Sequence, residues 1–280
     1  MRRLFLSLIC IAMWAEFAAG QSFGPRTLES AVPVLPPHFA ASLHSATPEI
    51  AAPVALPRMA PELALQVFHG RSVIQAQQLA AYSAVTVIRA ELPDTAQQGE
   101  FEVQRHFEAP HTLQFTAVHY TGDGFVKTNV ITRLLQSEVD HVKQDDGAIT
   151  AITNQNYKFG YKGTAEINNR AVHVYQVKPR KKRAGLFKGR IYLDAYTGSL
   201  VRAEGSVVKS PSFFVKKIDF VQDYADIDNF TFPIHIRTNA LARVIGRTVV
   251  DIFHRDYQPT SSASVQSARG TISPSILPSK

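Results

Sequence analysis

Histidines and clustered basic residues are the groups in this sequence whose type and spacing could support chemistry. There are ten histidines, and His106, His111 and His119 form the closest set. A zinc site needs three or four ligands converging from fixed spacings. These three show neither the HExxH spacing nor a flanking carboxylate pattern. If they lie on strands, His106 and His119 differ in parity and face opposite sides, so metal binding is not expected. No G-x-S-x-G elbow is present to expose a serine nucleophile. Gly122-Asp123-Gly124 lacks the downstream glycine and lysine of a phosphate-cradling loop and reads as a hairpin turn. No nucleophile, base and orienting group can be named together. An enzyme is therefore not expected, and no cofactor is implied.

The densest charge run is Lys178-Pro179-Arg180-Lys181-Lys182-Arg183, extended by Lys188 and Arg190. Such runs attract phosphate-bearing or other anionic surfaces. Here the run falls between two strand-like segments, where a solvated hairpin loop is the plain reading. The functional reading makes Lys181, Lys182, Arg183 and Lys188 contacts for an anionic lipid head group or polysaccharide, with peripheral membrane contact. Nucleic acid is not an expected partner, because the amino terminus carries an export address. Met1-Arg2-Arg3 is basic, Leu4 to Trp14 is apolar, and Ala18-Ala19-Gly20 supplies small residues for cleavage. That is the layout of a secretory signal peptide over residues 1–20, too short for a spanning helix of about 20 apolar residues. Removing it takes the formal charge from +7 to +6 and removes the single cysteine, Cys10, and the single tryptophan, Trp14. The mature chain then has no thiol to oxidise in an oxidising compartment. The expected location is periplasmic.

The elements that must position these groups occupy the middle of the 280-residue chain. Residues 21–59 are rich in Pro and Ala and read as a flexible leader. Residues 259–280 are Ser/Thr/Pro-rich and read as a disordered tail. With 45% hydrophobic residues, residues 60–258 are ample for one packed domain. Pro61 and Glu62 suit a helix start. Leu63, Val67, Ile74 and Ala81 then recur at helical spacing and read as its core-facing stripe, with a partner-binding face as the alternative. Strand patterns follow at 84–89, 100–107 and 112–120. A second helix is expected from about Asn129 to Lys143, capped by Thr128 or Asn129, with Ile131, Leu134, Leu135, Val139 and Val142 as its apolar stripe. Everything after Gly147 reads as strands: 151–161, 163–167, 171–178, 189–194, 200–208, 213–224, 232–238 and 249–257. Spacers this short force antiparallel neighbours. The expected fold is mainly β with two helices: a strongly curved antiparallel sheet or unclosed barrel of about 10–11 strands covering those helices.

The stretch Phe187-Lys188-Gly189-Arg190-Ile191-Tyr192-Leu193-Asp194, followed by Thr197-Gly198-Ser199-Leu200-Val201-Arg202-Ala203-Glu204-Gly205, resembles a hairpin of periplasmic outer-membrane-lipoprotein-sorting-like proteins. That group shares the fold of the LolA/LolB lipoprotein carriers and of a sigma-factor regulator sensor domain. Lys209 to Phe213 and Asn229 to Pro233, with Phe232 at an aromatic position, resemble the group's following segments. The resemblance implies an unclosed half-barrel of eleven strands with helices as a lid and a hydrophobic cavity for acyl chains. It implies structural rather than catalytic motif residues. Two functions follow as expectations. One is an exported binding protein that holds a lipid or lipoprotein acyl chain as carrier or sensor. The other is a structural or interaction protein of the cell envelope, with a filled core and an envelope protein as partner.

Overall fold

The computed structural model describes residues 57–144, 147–209, 215–243 and 246–263. The signal peptide, nearly all of the leader, Phe213 and Phe214, and the tail beyond 263 lie outside them. Ten strands form one antiparallel sheet in the order β3-β2-β1-β10-β9-β8-β7-β6-β5-β4. They are β1 Leu79–Leu92, β2 Gln97–Glu108, β3 Thr112–Gly122, β4 Tyr157–Ile167, β5 Arg170–Pro179, β6 Phe187–Asp194, β7 Leu200–Val207, β8 Val215–Ile227, β9 Phe230–Ala242 and β10 Gly246–Ser261. The margins β3 and β4 are not paired with each other, so the sheet is open. Sequence neighbours pair everywhere but between β3 and β4, and β10 pairs with β1 as well as with β9. Helices α1 (Pro61–Gln78), α2 (Gly124–Val126), α3 (Thr132–Lys143) and α4 (Gly147–Thr150) complete the fold, with a π turn at Lys127–Ile131.

Period-two alternation sorts most strands into a buried and an exposed face, while residues 172–175 of β5 and 191–194 of β6 are buried on both. On β1 the buried set is Ala84, Thr86, Ile88, Ala90 and Leu92. One side of the sheet is thus apolar and is met by the helices in two clusters. In the first, Phe68 of α1 and Ile152, just after α4, pack on Tyr175, Ile191, Leu193, Leu200, Phe220 and Tyr224. In the second, Val126, Val130, Ile131 and Leu135 pack on Ile88, Leu92, Phe101, Val103 and Ile252. Between them, Phe232 stacks on Tyr257 at 4.4 Å, and Tyr257 Oη donates to Pro233 O at 2.7 Å. The opposite face carries ion pairs such as Arg89–Glu100, Arg202–Asp223 and Arg237–Asp251. Exposed pairs of this kind contribute about 0–1 kcal/mol each, and their main effect is to keep that face wet.

Local chemistry accounts for the turns. Asn168-Asn169 and Asp228-Asn229 all take positive φ, as two-residue hairpins require. Asp194 accepts hydrogen bonds from the backbone N–H groups of Tyr196 and Thr197, both at 2.9 Å. These bonds and Arg170 outweigh the opposing effect of burial and hold its carboxyl below the usual range. The aspartate that ends β6 is therefore a turn-former.

Several expectations need correction. The leading helix buries Ala64, Phe68, Gln75 and Ala76, while Leu63 and Ile74 are 48% and 51% exposed. Of the stripe read as core, Leu63 and Ile74 face solvent, Val67 is half-buried beside Gly198, and Ala81 lies on β1 rather than on the helix. Gly122-Asp123-Gly124 is not a hairpin turn: Asp123 caps α2 by accepting from Phe125 N at 2.7 Å. The second helical region therefore begins before Thr128 and Asn129, and neither caps it. Not everything after Gly147 is strand, since α4 comes first and residues 151–156 are turns and bends. The strands expected at 151–161 and 163–167 are one strand, β4, with a register shift between Tyr161 and Gly163. β10 runs through Pro259. There it pairs with Tyr82 of β1, and its pairing with β9 has already ended at Phe253, so the proline stands where the strand has a neighbour on one side only, the kind of place where a proline is tolerated.

Gly189 shows why the β6–β7 hairpin has its sequence. It pairs with Gly205, and a Cβ on Gly189 would stand 2.6 Å from Gly205 Cα. Gly189→Ala is expected to destabilise the protein by about 2–3 kcal/mol in urea unfolding, as overpacking does. Gly160→Ala, where nothing stands within 4 Å, is the control. Equal stability of the two variants would refute the close-approach argument.

Candidate functional site

The site that the fold assembles lies beneath α1. The helix is anchored by Phe68, which packs in the apolar cluster of that half, and by a set of polar bonds. The Gln75 side-chain amide pairs with the backbone of Thr231 in both directions: Nε2 donates to Thr231 O at 3.0 Å, and Thr231 N donates to Oε1 at 2.8 Å. The amide thus imitates a strand neighbour. Asp226 collects three partners: Arg71 Nη2 at 2.7 Å, Thr231 Oγ1 at 2.6 Å, and Ser199 Oγ. At the amino end of α1, Tyr175 Oη donates to Pro61 O, His173 Nε2 bonds Met59 O at 2.9 Å, and Met59 N donates to Ala195 O at 2.7 Å. Burial pushes the Tyr175 phenol up, so it stays a neutral donor.

Between α1, residues 151–153 and the ends of β7, β8 and β9 is a cavity of about 40 Å³. Its walls are apolar at Phe68, Ile152, Leu200 and Tyr224 and polar at Arg71, Gln75, Ser199, Thr153 and Thr231. Arg71 Nε and Thr153 Oγ1 are buried there without a hydrogen-bond partner among the described residues. A volume of this size holds a few water molecules, which would satisfy those atoms. No histidine lines the cavity, and Ser199 is committed to Asp226. Hydrogen-bond donors beside apolar walls are the components of a binding site.

The other half of the sheet holds a buried polar cluster. Arg105 on β2 pairs with Glu138 on α3 at 2.5 Å, and its Nε donates to Tyr82 Oη at 2.8 Å. Its guanidinium also lies over the ring of Phe115 at 5.4 Å. Burial acts to lower the Arg105 pKa, but Glu138 and the tyrosines outweigh it and hold the group charged. This pair ties α3 to the sheet across 33 residues of chain, and sequence reading did not find it. Near it, His254 bonds Thr86 Oγ1 at 2.9 Å. Burial, reinforced by the charge of Arg105, lowers the His254 pKa to about 3. Neither contact has a sequence signature, because β2, α3, β1 and β10 meet only in the folded sheet.

The sequence-predicted head-group contacts lie elsewhere. Lys181, Lys182 and Arg183 sit in the β5–β6 loop and Lys188 on the outward side of β6; all four are exposed and none lines the cavity. Neighbouring Arg180 is bound instead, donating from Nε to Asn154 O at 2.8 Å. Among the described residues, no group of three or more His, Cys, Asp or Glu side chains could hold a metal ion. His106, His111 and His119 are separately exposed. No helix among those residues is long and apolar enough to cross a membrane.

No protein-family model matches the chain, and no curated protein matches it. Solved structures do. A LolA superfamily protein from Nitrosomonas europaea matches at 10% identity and a TM-score of 0.35, over 70% of this chain and 92% of its own. A DUF1329 family protein from Desulfovibrio piger matches at 10% identity and a TM-score of 0.38, over 71% and 92%. The MucA/MucB complex of Pseudomonas aeruginosa contributes a chain at 10% identity and a TM-score of 0.22, over 71% and 98%. The superpositions are loose, and no site residue or ligand carries over from any of them.

The buried histidine gives a pH test. Unfolded histidine takes up a proton near pH 6.5, whereas folded His254 does so only at about 3. Stability from this group is therefore complete above about pH 6.5 and lost as pH falls toward the folded value, with a slope approaching about 1.4 kcal/mol per pH unit. Urea unfolding of the wild type is expected to weaken from about pH 7 to about pH 4.5, and His254→Asn to weaken less steeply. The His69 pKa is also lowered, by burial against an opposing bond to Asn154, and its contribution cancels in the comparison. Identical slopes would rule out the assignment.

Proposed function

We propose that this chain is an exported, non-enzymatic binding protein of the cell envelope that holds a lipid or lipoprotein acyl chain between α1 and the β5–β8 half of the sheet. The observation that carries this reading is the contrast between how α1 is attached and what lies under it. Toward its carboxyl end α1 is held by Phe68 and by polar bonds through Gln75, Arg71 and Asp226, while the floor is an apolar cluster of Tyr175, Leu193, Leu200, Phe220 and Tyr224. At about 40 Å³, the closed cavity is too small for an acyl chain. Entry requires α1 to lift and Phe68 to leave its place. The polar bonds lost can be replaced by water, and each CH₂ that takes over the floor contributes about 0.8 kcal/mol. Lys181, Lys182, Arg183 and Lys188 then serve contact with an anionic membrane surface on the outer side, separate from the acyl site.

A second reading is an interaction protein of the envelope with a permanently filled core. It is favoured by that same small cavity and by the apolar stripe of α1 left in solvent at Leu63 and Ile74.

Native mass spectrometry of protein purified from its own envelope, with lipid extraction from the same sample, separates the two. A stoichiometric acyl species lost on denaturation is expected. In a fluorescent fatty-acid assay, Arg71→Ala and Gln75→Ala are expected to take up the probe faster than wild type by about tenfold, as loss of one or two such anchors implies. A bare polypeptide mass, with no uptake by any of the three proteins, would remove the acyl reading and leave the interaction reading standing. Reversing the four exposed basic residues to glutamate is expected to abolish co-sedimentation with vesicles containing phosphatidylglycerol; undiminished binding would show that the loop is only a solvated turn.

A further inference from the structure

The polar wall of the cavity under α1 has a charge arrangement that restricts what can lie in it. Arg71 is the one charged residue among those that line it, and Asp226 already matches that charge at 2.7 Å. Asp226 is not itself on the wall. It stands behind it, bonded to Arg71, Ser199 and Thr231, which all line the cavity. The other polar side chains of the wall are spent as well: Ser72 donates to Phe68 O, and Gln75 is paired in both directions with Thr231. What remains is hydrogen-bonding capacity without net charge. Arg71 Nε is buried with no acceptor among the described residues, and Thr153 Oγ1 is buried there with no partner.

A group that fills this space has to offer an acceptor, bring no charge, and continue into an apolar chain along Phe68, Leu200 and Tyr224. An ester or amide carbonyl does so. It accepts from an N–H or O–H as a displaced water would, so those bonds are kept. A carboxylate does not. Taking an ion out of water is costly unless an unmatched opposite charge meets it, and this guanidinium is already matched. The carboxylate would have to share Arg71 with Asp226. We infer that the Arg71–Asp226 pair sets the head-group specificity of the site: it selects an esterified or amidated acyl chain, with the neutral carbonyl on Arg71 Nε, over a free fatty acid. This rests on the acyl-chain reading and narrows it. Asp226 is the specificity-determining residue, because it consumes the charge that would otherwise hold a carboxylate. A free fatty acid still binds through its chain, but more weakly.

Equilibrium dialysis of the full chain at neutral pH, with radiolabelled laurate, methyl laurate and N-methyl lauramide, tests this at one acyl length and separates an ester source from an amide one. Both neutral ligands are expected to bind at least about tenfold more tightly than laurate. Asp226→Asn leaves the guanidinium unmatched and is expected to invert the order, with laurate ahead of methyl laurate by about tenfold. Asp228→Asn, in the exposed turn two residues on, is expected to keep the wild-type ratio within about twofold. The wild-type ratio needs no variant, so the test survives if Asp226→Asn fails to fold. Equal binding of laurate and methyl laurate overturns the inference and leaves the acyl site standing, with the head group in solvent. So does an order that Asp226→Asn leaves unchanged. Binding of none of the three ligands removes the acyl reading and this inference with it.

Discussion

An antiparallel sheet that curves but does not close has one apolar side that must be covered by something other than strands. Nearly every feature of this protein follows from that constraint. Four helices and a π turn lie on the apolar side, in two groups. Residues of α2, the π turn and α3 fill the half formed by β1 and β2, while α1 and the segment after α4 fill the half formed by β5 to β8. The outer side carries ion pairs that are individually weak and one apolar cluster at Val172, Val174, Tyr192 and Val201, and among the described residues the two marginal strands have a neighbour on one side each.

Covering the sheet brings polar groups into the interior, and the structure satisfies them in two different ways. On the α3 side, Arg105 is charged, buried and matched by Glu138. Removing one member of such a pair leaves an uncompensated charge, which costs far more than the pair itself contributes. That helix is locked. His254 fits the same surroundings only as a neutral ring, because burial and Arg105 both disfavour its charged form. On the α1 side the bonds are to backbone and to a half-exposed aspartate, and water can replace them. The two coverings therefore differ in how readily they lift. On the proposed reading, this asymmetry places the entry of the acyl chain at the α1 half.

Much of the strand layout was legible in the sequence. The paired Asn168-Asn169 and Asp228-Asn229 turns, the alternation along 100–107 and the short spacers allow little other than an antiparallel sheet. The hairpin of β6 and β7 was legible from its Tyr196-Thr197-Gly198 turn and from its resemblance to a known hairpin; that Gly189 and Gly205 face each other where no Cβ fits is seen only in the structure. Legibility failed where a local pattern had two readings. Asp123 beside two glycines suits a hairpin and a helix cap equally. Gly163 looks like a strand end and is a bulge inside one long strand.

The clearest division concerns α1. By itself the sequence determined that a helix begins at Pro61, because a first-turn proline, an adjacent acid and helix-compatible residues act within a few positions of one another; the helical spacing reads on to Ala81, whereas the helix ends at Gln78. It could not determine which face is buried. The apolar stripe at Leu63, Val67 and Ile74 competes with the face at Ala64, Phe68 and Gln75, and the balance is decided by Thr231 and Asp226, some 155 residues away in the chain. A buried glutamine is costly until its amide finds a backbone partner. Only the tertiary structure supplies that partner. The same holds for Arg105 with Glu138: pairing and exposure belong to the assembled sheet, whereas periodicity and turn chemistry belong to the chain.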